Sequence, residues 1–502
     1  MKTFAYSLLF LVFSFTQTKG NNLQITNVSI NQTTSMVSFT LSWENAWRVT
    51  AAPANWDAAW VFVKWKACSS DETVAFTHGT LSSTTSDHSY TNLQAMTSVN
   101  WNGSSGITES AAQGASLDYT DGIMLRLSSA TTGTVTSSVS LKVTNLPASG
   151  TQIKVKVFGI EMVYVPQGNY YLGDYDANGN YSLGRYGTST SASAPAVSIT
   201  SAYETATSTI YMTWLGLTMS SIPAAWPKGN YGFYCMKHEI TEGMYAEFGN
   251  TLTRTGQTAR DLGNFQTNRN QLYYANGNFS SLRPDRAQNF MEWSDVGAFL
   301  DWACLRPMTN FEFEKAARGP STPVGLEYAW GNTTISPGAT FYAPSGENGT
   351  ETFTGGNCVH NTTTFSGGDA STGPARVGIF ATPNTSRTSS GASYYGIMDL
   401  TGNVAEYVIE LHSTGTSNTL TRTWGNGAVT SAGVHDVAGG WPADGYVPTA
   451  SSMANTMSAK GGGWQSTSGD YYLVVSGNYW AYLGYSFAST IYNLQYGGRG
   501  VR

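Results

Sequence analysis

Between residues 21 and 155 the chain repeats one kind of segment and offers no other. Leu23–Ile30, Met36–Trp43, Ala59–Lys66, Met124–Leu127 and Val135–Val143 alternate apolar and polar residues or are β-branched. Clusters of Ser, Thr, Gly and Asn separate them. A period of two puts one set of side chains on each face of a strand, so the apolar face must find a second sheet to cover it. No helical spacing interrupts the series. The region is expected to be an all-β, sandwich-like domain. Asn55-Trp56-Asp57-Ala58-Ala59-Trp60 reads as a local aromatic core and turn rather than a site. Asn145–Gly150 reads as a boundary turn, and Lys154–Phe158 as a strand leading into the next domain.

From about residue 159 the pattern changes. A helix is expected near Thr241–Thr251, with Met244, Tyr245 and Phe248 at helical spacing. A second is expected near Trp293–Cys304, capped by Ser294, with Val296, Phe299, Leu300 and Ala303 on one face. A third is expected over Asn310–Arg318, capped by Thr309 or Asn310. The remainder is Gly-, Ser- and Asn-rich chain with short strands. That much irregular chain implies a fold that holds loops by specific packing. The organisation is thus α+β: a β-sandwich-like domain over 21–155, then a loop-rich domain over 159–502.

Only 12% of the 502 residues are charged and the net charge is -6. No Lys/Arg cluster occurs, which removes the basic patch that phosphate binding needs, so no nucleic acid is expected. Residues 1–20 read as a secretory signal peptide: Lys2, then the apolar run Tyr6–Phe15, then small or polar Thr16–Gly20. That run is too short to cross a bilayer, and no other span is expected. The mature protein is expected outside the cytoplasm, secreted or associated with the cell surface. Cys68, Cys235, Cys304 and Cys358 show no metal-type spacing, and four Cys allow three pairings. The six His show no ligand pairing at helical spacing. Sequons for N-glycosylation begin at Asn27, Asn31, Asn102, Asn180, Asn278, Asn332, Asn348, Asn361 and Asn384, about as many as a chain with roughly a quarter Ser and Thr yields by chance.

Five local signatures follow in order. The first is Met162-Val163-Tyr164-Val165-Pro166-Gln167-Gly168. The second is Phe233-Tyr234-Cys235-Met236-Lys237-His238-Glu239-Ile240-Thr241. The third runs from Leu305-Arg306-Pro307-Met308-Thr309 through Glu312 to Arg318-Gly319, with Trp330-Gly331-Asn332 beyond it. The fourth is Tyr395-Gly396-Ile397-Met398-Asp399-Leu400-Thr401-Gly402-Asn403-Val404-Ala405-Glu406. The fifth is Gly461-Gly462-Gly463-Trp464, closed by Gly498-Arg499-Gly500-Val501-Arg502. Together they resemble the formylglycine-generating enzyme (sulfatase-modifying factor) family over about two thirds of the chain. The arrangement, with the NWDAAW segment, also looks like secreted bacterial proteins of the Bacteroidetes type.

The resemblance implies a C-type-lectin-like fold with little regular structure. It also implies a copper-dependent oxidation of a sulfatase Cys, performed by two Cys just after the fifth signature begins. A thiolate is the soft ligand and nucleophile that chemistry requires. Ser466 and Tyr471 fall at those two positions, and no Cys follows Cys358. No copper is therefore expected. Nor is iron, because the separate helical domain some relatives use for it is not evident. A structural Ca²⁺ held by Asp399, Gly402, Val404 and Glu406 remains an expectation of the resemblance, since two carboxylates and two carbonyl oxygens suit a hard cation. The alternative is that Asp399 and Glu406 cap turns or pair with Arg499. The resemblance also implies that a second family site is damaged, with Pro344 where a ligating Asn is usual.

The segment after Trp464 is rich in Tyr, with small residues between. Tyr471, Tyr472, Tyr479, Trp480, Tyr482, Tyr485 and Tyr492 are the expected ligand or assembly surface, because Tyr offers large contact area with few rotors. Val474 and Val475 are expected in a core strand. Two functions follow. One is a non-catalytic secreted protein: a fibre subunit joining copies of itself, or an adhesin for a glycan or protein ligand. The other is an oxidase of the family type whose site is built from Cys235, Cys304 and Cys358.

Overall fold

The computed structural model describes residues 22–96 and 120–502, apart from 176–178, 180–181, 183–184, 206, 213–216, 264, 337–339, 344–345, 362–363, 366, 412–418, 438–440, 443–456, 468–471 and 478–493. The five expected strands of the first region are present, as β1 (Gln24–Asn31), β2 (Met36–Trp47), β3 (Asp57–Ala67), β5 (Ile123–Leu127) and β6 (Thr132–Lys142), and β4 (Leu93–Met96) is a further one that was not expected. One antiparallel sheet runs β1-β2-β6, with Ser89–Tyr90 at its far edge. The register pairs Val37 with Leu141 and Phe39 with Val139, so the apolar set faces inward. Val37, Phe39, Leu41, Val139 and Leu141 are buried against Ala59, Val61 and Val63 of β3 and Ile123 and Leu125 of β5. This is the sandwich-like packing the alternation required.

The strand expected over Lys154–Phe158, leading into the next domain, is part of a longer one, β7 (Ile153–Val165). It pairs with β3 from Ala67↔Ile153 to Asp57↔Val163. Its far end also pairs with β8 (Phe233–Met236), from Met162↔Met236 to Val165↔Phe233. The composition changes there because the surroundings do. The first half of β7 is partly exposed, while Ile160–Val165 is buried throughout.

The shared sheet continues from β8 to Gly500–Val501 and then to β9 (Arg306–Pro307). On the other side of β3 lie β5 and β4. The second face of β3 and β7, carrying Trp60, Phe62, Ile160 and Met162, belongs to the core of the loop-rich half. Trp60 Nε1 donates to Ala303 O at 2.8 Å, and Phe62 meets Trp302 edge-on at 5.1 Å. β3 and β7 are therefore the middle layer of sheet, sheet and helix. Such a strand must be apolar on both sides, and β3 is buried over its first eight residues.

The three expected helices are α1 (Glu242–Gly249), α2 (Trp293–Trp302) and α3 (Asn310–Arg318). Thr241 caps α1 by accepting from Met244 N. The cap of α2 is Glu292 rather than Ser294; its N–H donates to Asp295 Oδ2 at 3.0 Å, and Ser294 lies inside the first turn. In α3 the Thr309 hydroxyl accepts from Glu312 N while Glu312 accepts from Thr309 N, a reciprocal capping box. Among the described residues no helix is long and apolar enough to cross a membrane.

Candidate functional site

The fifth signature is a set of left-handed turns packed on the fourth. Gly461 and Gly462 have φ of +82° and +61°. Gly402 N donates to Gly461 O at 2.8 Å, and Trp464 N to Asn403 O at 2.9 Å. Gly402 itself has φ +84°, and a Cβ there would stand 2.2 Å from Cys358 Sγ. The two glycine turns thus fold together without room for a side chain.

Ser466, at one of the two positions where the resemblance puts a Cys, is buried within this turn. Its hydroxyl accepts from Gly463 N at 3.1 Å, its own N–H donates to Gly463 O at 2.9 Å, and its carbonyl accepts from Asn361 N at 2.6 Å. The hydroxyl thus braces the backbone of the turn. Tyr471, the other position, lies outside the described residues, as do Tyr479, Trp480, Tyr482, Tyr485, Tyr492, Pro344 and residues 1–20. Of the expected aromatic surface only Tyr472 is described, and it is half-buried. Val474 and Val475 are buried as expected, but in turns rather than a strand, with Val475 N donating to Glu327 O.

Three of the four cysteines are buried and all four are free thiols. Burial pushes the Cys235 thiol up to about 12 and raises those of Cys304 and Cys358. Cys358 Sγ donates to Thr401 O at 3.2 Å. These thiols stay protonated, which makes them poor ligands and poor nucleophiles.

The expected calcium residues sit in the turn before and the start of β10 (Ala405–Ile409). Asp399, at φ +58°, accepts from Gly378 N at 2.6 Å. Glu406 is buried and pairs with Arg499 at 2.6 and 2.8 Å, while Arg499 also donates to the carbonyls of Met236, Lys237 and Met398. Val404 N donates to Glu239 Oε1 at 2.9 Å. Glu239 was missed in the sequence; its neighbours are 164 and 165 residues away. Burial raises the carboxyls of Glu239, Asp399 and Glu406, the last to about 7, and the charges of Asp399 and Glu406 push Glu239 further. Among the described residues no group of three or more His, Cys, Asp and Glu side chains is arranged to hold a metal ion.

Beyond Trp330-Gly331-Asn332, where the family's second ion site was expected to be damaged, arginines stand among the carboxylates. Arg269 reaches Glu347 at 2.6 Å and Asp369 at 2.9 Å, and Arg286 pairs with the same two residues. A guanidinium pair neutralises these acids directly. The partners lie 61 to 100 residues apart, so no local pattern announces them.

Two comparisons bear on this arrangement. The model of the sulfatase-modifying factor enzyme 1-like domain matches residues 154–483. A formylglycine-generating enzyme of Thermomonospora curvata is 34% identical over 128 residues, which covers 25% of this chain and 33% of that protein. The match therefore spans about a third of that relative's length.

Proposed function

Because the chain belongs to the family of sulfatase-modifying factor enzyme 1-like domains, we propose that it keeps this scaffold for binding or assembly outside the cell and has given up the oxidation. On this reading the loop-rich half is C-type-lectin-like. Its aromatic segment, including Tyr471, Tyr472 and Tyr479, is the contact surface for further copies of the chain or for a glycan or protein ligand.

The observation that carries the reading is Ser466. Its hydroxyl accepts the Gly463 N–H and so braces the turn. A hydroxyl is also a hard oxygen donor, unsuited to the copper chemistry of a thiolate pair. An oxidase built from Cys235, Cys304 and Cys358 would need thiolates that burial disfavours. A structural Ca²⁺ at the fourth signature would be held by Asp399 and Glu406 in competition with the Arg499 pair.

Copper-loaded protein should consume no oxygen with a Cys-containing sulfatase peptide. Turnover in that assay would overturn the reading. Light scattering and electron microscopy of the purified protein, with and without Ca²⁺, then separate a fibre subunit from a monomeric binder.

A further inference from the structure

At the junction of the two halves a lysine is enclosed by two carboxyl groups. Lys237, just past β8, has its Nζ 3.4 Å from Asp57 Oδ2 and 3.2 Å from Glu161 Oε2. Asp57 opens β3 and Glu161 lies in β7. The register sets Glu161 opposite Ala59, so it shares a sheet face with Asp57 two residues along. All three are buried: Asp57 is 0% exposed, Lys237 4% and Glu161 5%. The Lys237 ammonium also lies 4.6 Å from the ring centre of Trp47. Trp43 Nε1 donates to Asp57 Oδ2 at 3.2 Å, and Trp47 N donates to Oδ1 at 2.9 Å.

We propose that Lys237 Nζ and Asp57 Cγ join in an amide bond, with Glu161 carrying the proton. In water an amine and a carboxylate do not condense, because both are ionised and water drives the reverse step. Burial removes the water that drives the reverse step. The Asp57 carboxyl is pushed up to about 7, by burial first. The charged neighbours are accounted for: Lys237 and Glu161 face Asp57, and Trp43 and Trp47 supply its hydrogen bonds.

The step balances without an outside reagent. A proton passes from the Lys237 ammonium to the Asp57 carboxylate, leaving amine and carboxylic acid. The amine lone pair attacks Cγ, and the Trp47 N–H holds the developing oxyanion on Oδ1, while Oδ2 is the oxygen that departs. Glu161 takes a proton from the nitrogen and returns it to the departing oxygen, which leaves as water. The N–C bond forms, one C–O bond breaks, and nothing is oxidised or reduced. A bond between these groups would close a loop of 180 residues.

Peptide mapping of the purified full chain tests this without any variant. Denatured, trypsin-digested protein is expected to give one branched peptide holding Asp57 and Lys237. Its mass should equal the two linear segments less one water, with no cleavage after Lys237. Separate linear peptides cut after Lys237 would overturn the bond. In E161Q the linking rate is expected to fall by about 100-fold, with the circular dichroism spectrum unchanged. Linking of E161Q at the native rate would overturn the role of Glu161. K237R and D57A should carry no link and recover the missing water. Failure here leaves the non-catalytic reading untouched, because Ser466 plays no part in it.

Discussion

Ser466 shows what one substituted atom does on this scaffold. An oxygen that hydrogen-bonds the Gly463 N–H stands where the resemblance puts a sulfur. Ser466→Ala should lower stability by about 1 kcal/mol in urea titration, the usual worth of such a bond. A larger effect is expected at Asp285. Its Oδ2 is buried with no hydrogen-bond partner, and burial, then the Glu351 charge, raises its carboxyl from 3.8 to about 7. Between those two values the folded protein holds a proton the unfolded chain has released, so stability falls as pH rises. Asp285→Asn should flatten that fall between pH 4 and pH 7 and stabilise the protein at pH 8. The gain should reach at most about 4 kcal/mol, from urea midpoints taken at both pH values. The positions around Trp464 and Ser466 could be read from sequence because their motif is short and contiguous. Asp285 gives no such sign, since what perturbs it is a burial made by chain far away.

Among the elements, the ones with local causes matched their expectation. β2 and β3 alternate or run apolar as their burial demands, and α3 carries its whole capping box within four residues. Errors arose where a cause was distant. Ser294 is a good cap by type, but Glu292 and Asp295 form the box instead. The strand expected over Lys154–Phe158 extends to Val165, passing from a half-exposed to a buried setting where it meets distant chain. The turn that joins Asp399 to β10 also depends on distant chain. Gly402→Ala combines φ +84° with a Cβ 2.2 Å from Cys358 Sγ and 2.6 Å from Val359 O. It should cost about 3 kcal/mol, seen as a lower Tm, while Gly346→Ala, where a Cβ meets nothing within 4 Å, should cost less.

For the molecule as a whole, β7 matters most, since it serves two cores at once. Chemical unfolding should therefore follow one transition, with coincident midpoints by tryptophan fluorescence and circular dichroism. Two separated transitions would mean that the sheet divides near residue 159 after all. Calcium should raise the Tm if it joins Asp399 and Glu406, and chelation should then reverse the rise. The order of elements could be anticipated, but not their sharing, because a strand paired on both edges looks in sequence like any other apolar run. That sharing has a mechanical side. Along β3 and β7, residue pairs from Ala67↔Ile153 to Asp57↔Val163 lie side by side. A pull along the strand direction, one half held and the other drawn away, would load those bonds together rather than one after another. The molecule would yield in shear, at a force set by the whole ladder.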